Sequence, residues 1–180
     1  GDVTIPSEID GYPVVGFGDG LFAGSENITM VAMPGNLVTK MSDIFLDSYD
    51  KLTSVTLTGD VTEIPQDAFA GCAALESFII PDSVTKIGAN AFAGCASLEN
   101  VEISESVTDI GTGAFSGCAA MADGDGYLVI RGVLYGYFGD DNCVTVPDGV
   151  SVIDSKAFYG CDALTSVTMP LEILEGNTER

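Results

Sequence analysis

The chain has 180 residues, is 46% hydrophobic and carries 27 acidic against six basic residues, a formal charge of −21, with no histidine and no tryptophan. A field of that sign repels phosphate backbones and anionic lipid, which argues against nucleic-acid and direct membrane-surface binding. Without histidine, Ser-His and Cys-His nucleophile pairs and histidine-bound metals are excluded, and no run of 18 apolar residues offers a transmembrane helix, the longest candidate (127–138) being broken by Arg131 and two glycines.

In chain order, Val3-Thr4-Ile5-Pro6 reads as a short strand closed by proline, and the same ending returns as "VAMP" at 31–34 and "VTMP" at 167–170. Val14, Phe17, Phe22, Ser25, Ile28, Val31 and Met33 form a degenerate unit, and Val38, Met41, Leu46, Tyr49, Leu52, Val55 and Leu57 form another. The unit then becomes plain: Val61, Ile64, Phe69, Cys72, Leu75, Phe78 and Ile80, followed by Val84, Ile87, Phe92, Cys95, Leu98, Val101 and Ile103. Val107, Ile110, Phe115 and Cys118 open a further copy, and Phe158, Cys161, Leu164, Val167 and Met169 close the series. The phenylalanines are spaced by 23, 23 and 43 residues, the last read as one period plus 20, and a fixed period in this range marks a solenoid.

Within a unit, Leu-x-x-Val-x-Ile ends in a period-two alternation that points Val101 and Ile103 inward and Asn100 and Glu102 outward. The Ala-Phe-x-Gly-Cys stretch allows at most a helical turn or two before glycine ends it. Each unit is thus one coil of a right-handed solenoid, and stacking aligns the strands in parallel with the phenylalanines inside, since a single coil cannot bury its own apolar face. The spacing predicts seven strands centred near residues 4, 32, 56, 79, 102, 145 and 168 in one continuous sheet, within a single domain spanning 1–180. Val3/Ile5, Val31/Met33, Val55/Leu57, Phe78/Ile80, Val101/Ile103, Val144/Val146 and Val167/Met169 face in. The outward positions, from Asp2 and Thr4 to Ser166 and Thr168, are small and hydroxyl-rich.

The pattern Ile-Pro-x-x-Val-x-x-Ile-x-x-x-Ala-Phe-x-x-Cys-x-x-Leu-x-x-Val-x-Ile resembles the BspA-type leucine-rich repeat, the 23-residue class of bacterial and some protist surface proteins. The resemblance covers residues 3–170. It departs from the pattern between 14 and 57, where Leu46 and Tyr49 replace Phe and Cys, and Ser25 replaces another Cys. It implies a horseshoe-like leucine-rich-repeat solenoid, an extracellular or cell-surface location, and a role in adhesion or ligand binding, with no catalytic motif to carry over.

Residues 122–142 fall outside the register and read as an insert. Its two apolar runs, 127–130 and 133–138, flank Arg131-Gly132 as a hairpin. Tyr127, Tyr135, Tyr137 and Phe138 concentrate aromatics there, either as a binding patch or as rings packed on the solenoid's flank. "DGDG" at 123–126 is similar to the start of a calcium loop, yet Tyr127, Leu128 and Leu134 stand where a third ligand, a glycine and a glutamate are needed. A hydrophilic turn is the expectation, with Asp123, Asp125, Asp140 and Asp141 the acids that weak calcium binding would use. The pairs Gly16/Gly18 and Gly111/Gly113 lack the third glycine of a dinucleotide fingerprint and read as turn glycines. Asn27-Ile28-Thr29 is a formal glycosylation sequon that a core slot at Ile28 makes a chance match. The short tail is 171–180.

Cys72, Cys95, Cys118 and Cys161 share one repeat slot, where parallel side chains disfavour disulfides and predict a ladder of buried thiols acting as small hydrophobes. Cys143, next to the inward Val144, faces out. No catalytic, cofactor or metal constellation emerges, and carboxylate pairs lie on turns of a repetitive scaffold. The leading reading is a non-enzymatic, surface-displayed module without cofactor, binding an extracellular protein or glycan through the exposed sheet face and the insert. The residues assigned to it are Ile79, Asn100, Glu102, Thr145, Tyr135 and Tyr137. The competing reading is a structural spacer in a longer surface protein.

Overall fold

The computed structural model describes residues 1–38, 43–44, 49–170 and 173. The slots assigned to Met41 and Leu46, and the tail apart from Ile173, lie outside the described residues. The chain divides into two compact units, Gly1–Ala120 and Met121–Arg180.

In the first unit the strands are β1 (Asp2–Thr4), β2 (Glu8–Ile9), β3 (Tyr12–Pro13), β4 (Met30–Pro34), β5 (Ser54–Thr58), β6 (Glu63–Ile64), β7 (Ser77–Ile79), β8 (Lys86–Ile87), β9 (Asn100–Glu102) and β10 (Asp109–Ile110). Five form a main sheet in the order β1-β4-β5-β7-β9, every ladder parallel, and three form a second parallel ladder, β10-β8-β6. The register pairs Val31 with Val55, Val55 with Phe78, and Phe78 with Val101, so like slots of successive coils meet. Between the ladders the Ala-Phe-x-Gly-Cys stretch makes consecutive turns closed by short-range bonds such as Cys72 N–H to Phe69 O. β2 and β3 pair antiparallel as a small hairpin.

Coil stacking determines what the invariant slots must hold. Phe69, Phe92 and Phe115 are completely buried, and their rings stack at centroid distances of 5.3 and 5.5 Å with interplanar angles of 16° and 4°. Phe78 meets two of them at 4.8 and 5.0 Å from the sheet side. Removing one such ring costs about 3–5 kcal/mol. At Gly111 the coils approach so closely that an added Cβ would lie 2.4 Å from the backbone nitrogen of Ala89. Hydroxyls tie the joints between coils: Thr53, Thr85 and Thr108 each donate to a carbonyl of the preceding coil, at 3.1, 3.2 and 3.4 Å.

The second unit contains β11 (Tyr127–Ile130), β12 (Val133–Tyr137), β13 (Cys143–Thr145), β14 (Val152–Ile153) and β15 (Ser166–Thr168). β11 and β12 form the expected hairpin, with Arg131 and Gly132 both at positive φ (50° and 75°), the two-residue turn whose twist suits a hairpin. β13 pairs with β15, and β12 with β14, in parallel. Leu134, Val146, Val150 and Ala157 form its core, with Tyr127, Ile153, Phe158, Val167 and Ile173 packed around them.

All seven main-sheet strands occur where the spacing places them, but they fall into a five-stranded and a two-stranded sheet, not one continuous sheet. One period beyond Val101 and Ile103 lie Gly124 and Gly126, which have no side chain to bury, and a turn replaces the strand. The 20-residue excess is also not an insertion beside the solenoid. Leu134 O accepts from Asp154 N–H and Tyr137 N–H donates to Ala157 O, the bonds that Ile64 and Phe69 make to Gly88 and Ala91. β12 is therefore the second-ladder strand of a coil of its own, and Tyr137 holds the phenylalanine slot, 22 residues after Phe115 and 21 before Phe158. Met169, expected inside, is 36% exposed, in the last of the described strand-bearing coils.

Candidate functional site

The outward alternation of β4, β5, β7 and β9 builds a solvent-facing surface on the first unit. Met30, Thr56, Ser77, Asn100 and Glu102 are exposed and Ser54 and Ala32 half-buried, while Val31, Val55 and Phe78 carry the opposite face into the core. Ile79 stands out among these positions, since it occupies an outward slot and is 82% exposed. Parallel register sets Glu102 beside it on one neighbouring strand. On the other side, together with Ser54, Thr56, Leu57, Ser77 and Pro81, it lines a shallow hollow of about 250 Å³. A second hollow, about 580 Å³, is bordered by Glu76, Ser97 and Glu99 at the start of the same strands.

Of the residues assigned to binding from the sequence, Ile79, Asn100 and Glu102 come together on this face, with Ser77 opposite Asn100. Thr145 is exposed on β13 in the second unit, and its carbonyl accepts a 2.9 Å bond from the Tyr127 hydroxyl. Tyr135 and Tyr137 are each only 3% exposed, so of the two readings of the hairpin aromatics, binding patch or packed rings, these two follow the packed one and do not offer a binding surface. The reason is the register: Tyr137 fills a phenylalanine slot, with its ring 4.9 Å from Tyr127 and 6.5 Å from Phe158. Burial pushes the Tyr135 phenol up to about 12, with nearby Asp154 adding to the shift and Arg131 opposing it.

Two of the hairpin acids serve the fold. Asp123 Oδ1 accepts the backbone N–H groups of Asp125 and Tyr127 at 3.0 and 2.9 Å, closing the "DGDG" turn, and Asp141 Oδ2 accepts the Tyr137 hydroxyl at 3.1 Å. Among the described residues no group of three or more acids or cysteines is gathered to hold a metal ion. Glu76 and Glu99 were not singled out by the sequence reading, although both precede a strand at the same slot, 23 residues apart, and that periodic placement was the available signal.

Comparison with known proteins bears on what such a scaffold is. The chain matches the BspA type Leucine rich repeat region in six copies over residues 3–122 and 139–178. Among solved structures it is similar to a leucine-rich repeat protein of T. pallidum, with 29% identity, 93% of this chain and 68% of that one covered, and a TM-score of 0.58. A leucine rich cell surface protein of Faecalibacterium prausnitzii shares 27% identity over 96% of this chain and 36% of its own, with a TM-score of 0.37. A Bacteroides ovatus leucine-rich repeat protein shares 20% over 96% and 70%, with a TM-score of 0.48. No curated protein matches the chain significantly. Leucine-rich repeat proteins are in general non-enzymatic scaffolds for interaction or structure. With the repeat matched over most of its length and the coil geometry in agreement, the chain belongs to the BspA-type leucine-rich repeat family.

Proposed function

We infer that this protein is a non-enzymatic recognition module, displayed outside the cell or on its surface, that binds a protein partner through the exposed face of β4, β5, β7 and β9. The single observation behind this reading is Ile79. Its β-branched side chain, 82% exposed at the end of β7, joins Leu57 and Pro81 in the hollow instead of the core, which lies on the other side of the sheet. Small hydroxyl-bearing neighbours leave a flat, shallow surface, which suits a broad protein contact better than a small-molecule pocket. The surface location rests on the family. The test is a binding screen of the purified chain against extracellular proteins and glycans, repeated with Ile79→Asp and with Tyr159→Ala, a change at an exposed residue of the second unit. A ligand lost with the first change and kept with the second supports the reading. A screen in which every ligand ignores Ile79→Asp, or in which nothing binds, leaves a structural spacer as the function.

A further inference from the structure

Two glutamates flank Ile79 across and along its strand, and Lys51, exposed, lies in the turn that leads into β5. Glu102 is its partner across the β7–β9 ladder, and Glu76 begins the approach to its own strand. The Glu99 backbone N–H donates to the Glu76 carbonyl at 3.1 Å, so these two residues stack directly on adjacent coils, both exposed, around the second hollow. Lys86 is in the neighbourhood by sequence, but it belongs to the other ladder and pairs with Glu63 there at 3.1 Å. The outward slots from Met30 to Glu102 hold no basic residue.

Resting on the reading of this face as a recognition surface, we propose that its partner is an extended basic protein segment: an aliphatic side chain seats beside Ile79, Leu57 and Pro81, and a lysine or arginine lies between Glu76 and Glu99. Three residues of strand separate Glu76 from Ile79, roughly 10 Å at strand rise, so in an extended peptide running along β7 the two anchors stand two positions apart, the spacing that turns both side chains toward the sheet, with the long basic side chain spanning the remaining distance. The alternatives fit less well. A second copy of this chain brings a net charge of −21 against the same acidic rim, and acidic or phosphorylated segments meet the same repulsion.

The probe is a fluorescent synthetic peptide with leucine and lysine two positions apart, titrated against the full chain by anisotropy, beside versions with Lys→Glu and with Leu→Gly, each of which should weaken binding. Non-specific attraction of a basic peptide to an acidic protein is separated by sign: Ile79→Asp adds a negative charge, which strengthens non-specific attraction but removes the apolar seat. The expected result is roughly tenfold weaker binding to Ile79→Asp. A similar loss is expected for Glu76→Gln with Glu99→Gln, and little change for Glu8→Gln with Glu26→Gln, which alters net charge equally at sites off this face. Binding that strengthens with Ile79→Asp, that responds equally to both glutamine pairs, or that survives Lys→Glu in the peptide overturns the proposal. A screened protein ligand that needs Ile79 but is indifferent to Glu76 and Glu99 also overturns the basic partner while leaving the recognition face intact.

Discussion

The Sγ of Cys95 lies 3.2 Å from the carbonyl oxygen of Phe69, 26 residues earlier and one coil away. Cys118 repeats the contact to Phe92 at 3.1 Å, and Cys161 repeats it to Tyr137 at 3.3 Å. The thiol ladder is thus more than small apolar filling. Each sulfur contacts the carbonyl of the aromatic-slot residue one coil earlier, and at Phe69 and Phe92 that carbonyl also accepts the turn's own N–H, from Cys72 and Cys95. Cys95→Ala removes both the packing and the donor, and the expected cost is about 1–3 kcal/mol in denaturant unfolding. A variant as stable as the parent would mean the contact is incidental.

Accessibility divides the five free cysteines. Cys72, Cys95 and Cys118 are fully buried, and burial pushes the Cys72 and Cys118 thiols up to about 12 and Cys95 higher still. Cys161 is only half-buried, and Cys143 is exposed, 3.8 Å from Thr165 Oγ1. In native protein a thiol-specific reagent should label Cys143 first and Cys161 more slowly, with the other three reacting only after denaturation. Peptide mapping that finds Cys95 labelled as early as Cys143 contradicts this order.

Much of this was legible in the chain because the period is strict where packing is strict. Phe69, Phe92 and Phe115 hold equivalent, fully buried positions in successive coils, so one residue type recurs every 23 positions, and the alternation around Val55 and Phe78 gives the sheet face directly. Legibility failed at the coil of Tyr137. There the aromatic slot carries a hydroxyl, the strand slots are glycines, and a hairpin strand supplies the second ladder, so neither spacing nor residue type announced a repeat. Exposure at Met169 and partial exposure at Cys161 escaped for another reason: sequence slots are equivalent, but the number of coils stacked over them is not. Ile79 was readable as outward from alternation alone. Its acidic surroundings depend on which coils are neighbours, and that follows from the register.

The hairpin tyrosines now carry a stability forecast. Tyr137→Ala opens the slot between Tyr127 and Phe158 and frees Asp141, and should destabilise by about 3–5 kcal/mol, while Tyr137→Phe loses only the hydroxyl contact and should cost about 1 kcal/mol. Thermal melts of the two variants separate the terms. Equal melting temperatures for parent and Tyr137→Ala would return the ring to the surface.

Close approach between coils predicts a steep penalty at a residue that looks unremarkable in sequence. An alanine Cβ at Gly111 would meet Ala89 N at 2.4 Å and Ala89 Cα at 2.7 Å, both backbone atoms that move only with their whole coil. Gly111→Ala should therefore destabilise by about 3 kcal/mol or prevent folding. Gly16→Ala, where an added Cβ meets nothing within 4 Å, serves as the contrasting change and should be nearly neutral. Comparable soluble yields and unfolding midpoints for the two would show that the coils can separate without cost.

Alkaline pH should unfold the protein for a reason written in the same core. The Cys72 and Cys118 thiols rise from 9.0 to about 12, and the Tyr135 phenol from 10.0 to about 12, because burial disfavours the charged form of each. Their folded pKa values lie above the unfolded ones, so the unfolded chain releases these protons first. The stability they contribute is complete below about pH 9 and is lost as pH climbs through the folded values near 12. Urea midpoints should accordingly hold steady up to about pH 8.5 and fall progressively above it. Alkaline absorbance titration should show Tyr135 ionising only as the structure melts. A midpoint that does not move between neutral pH and about pH 11 would place these groups in water in the folded protein.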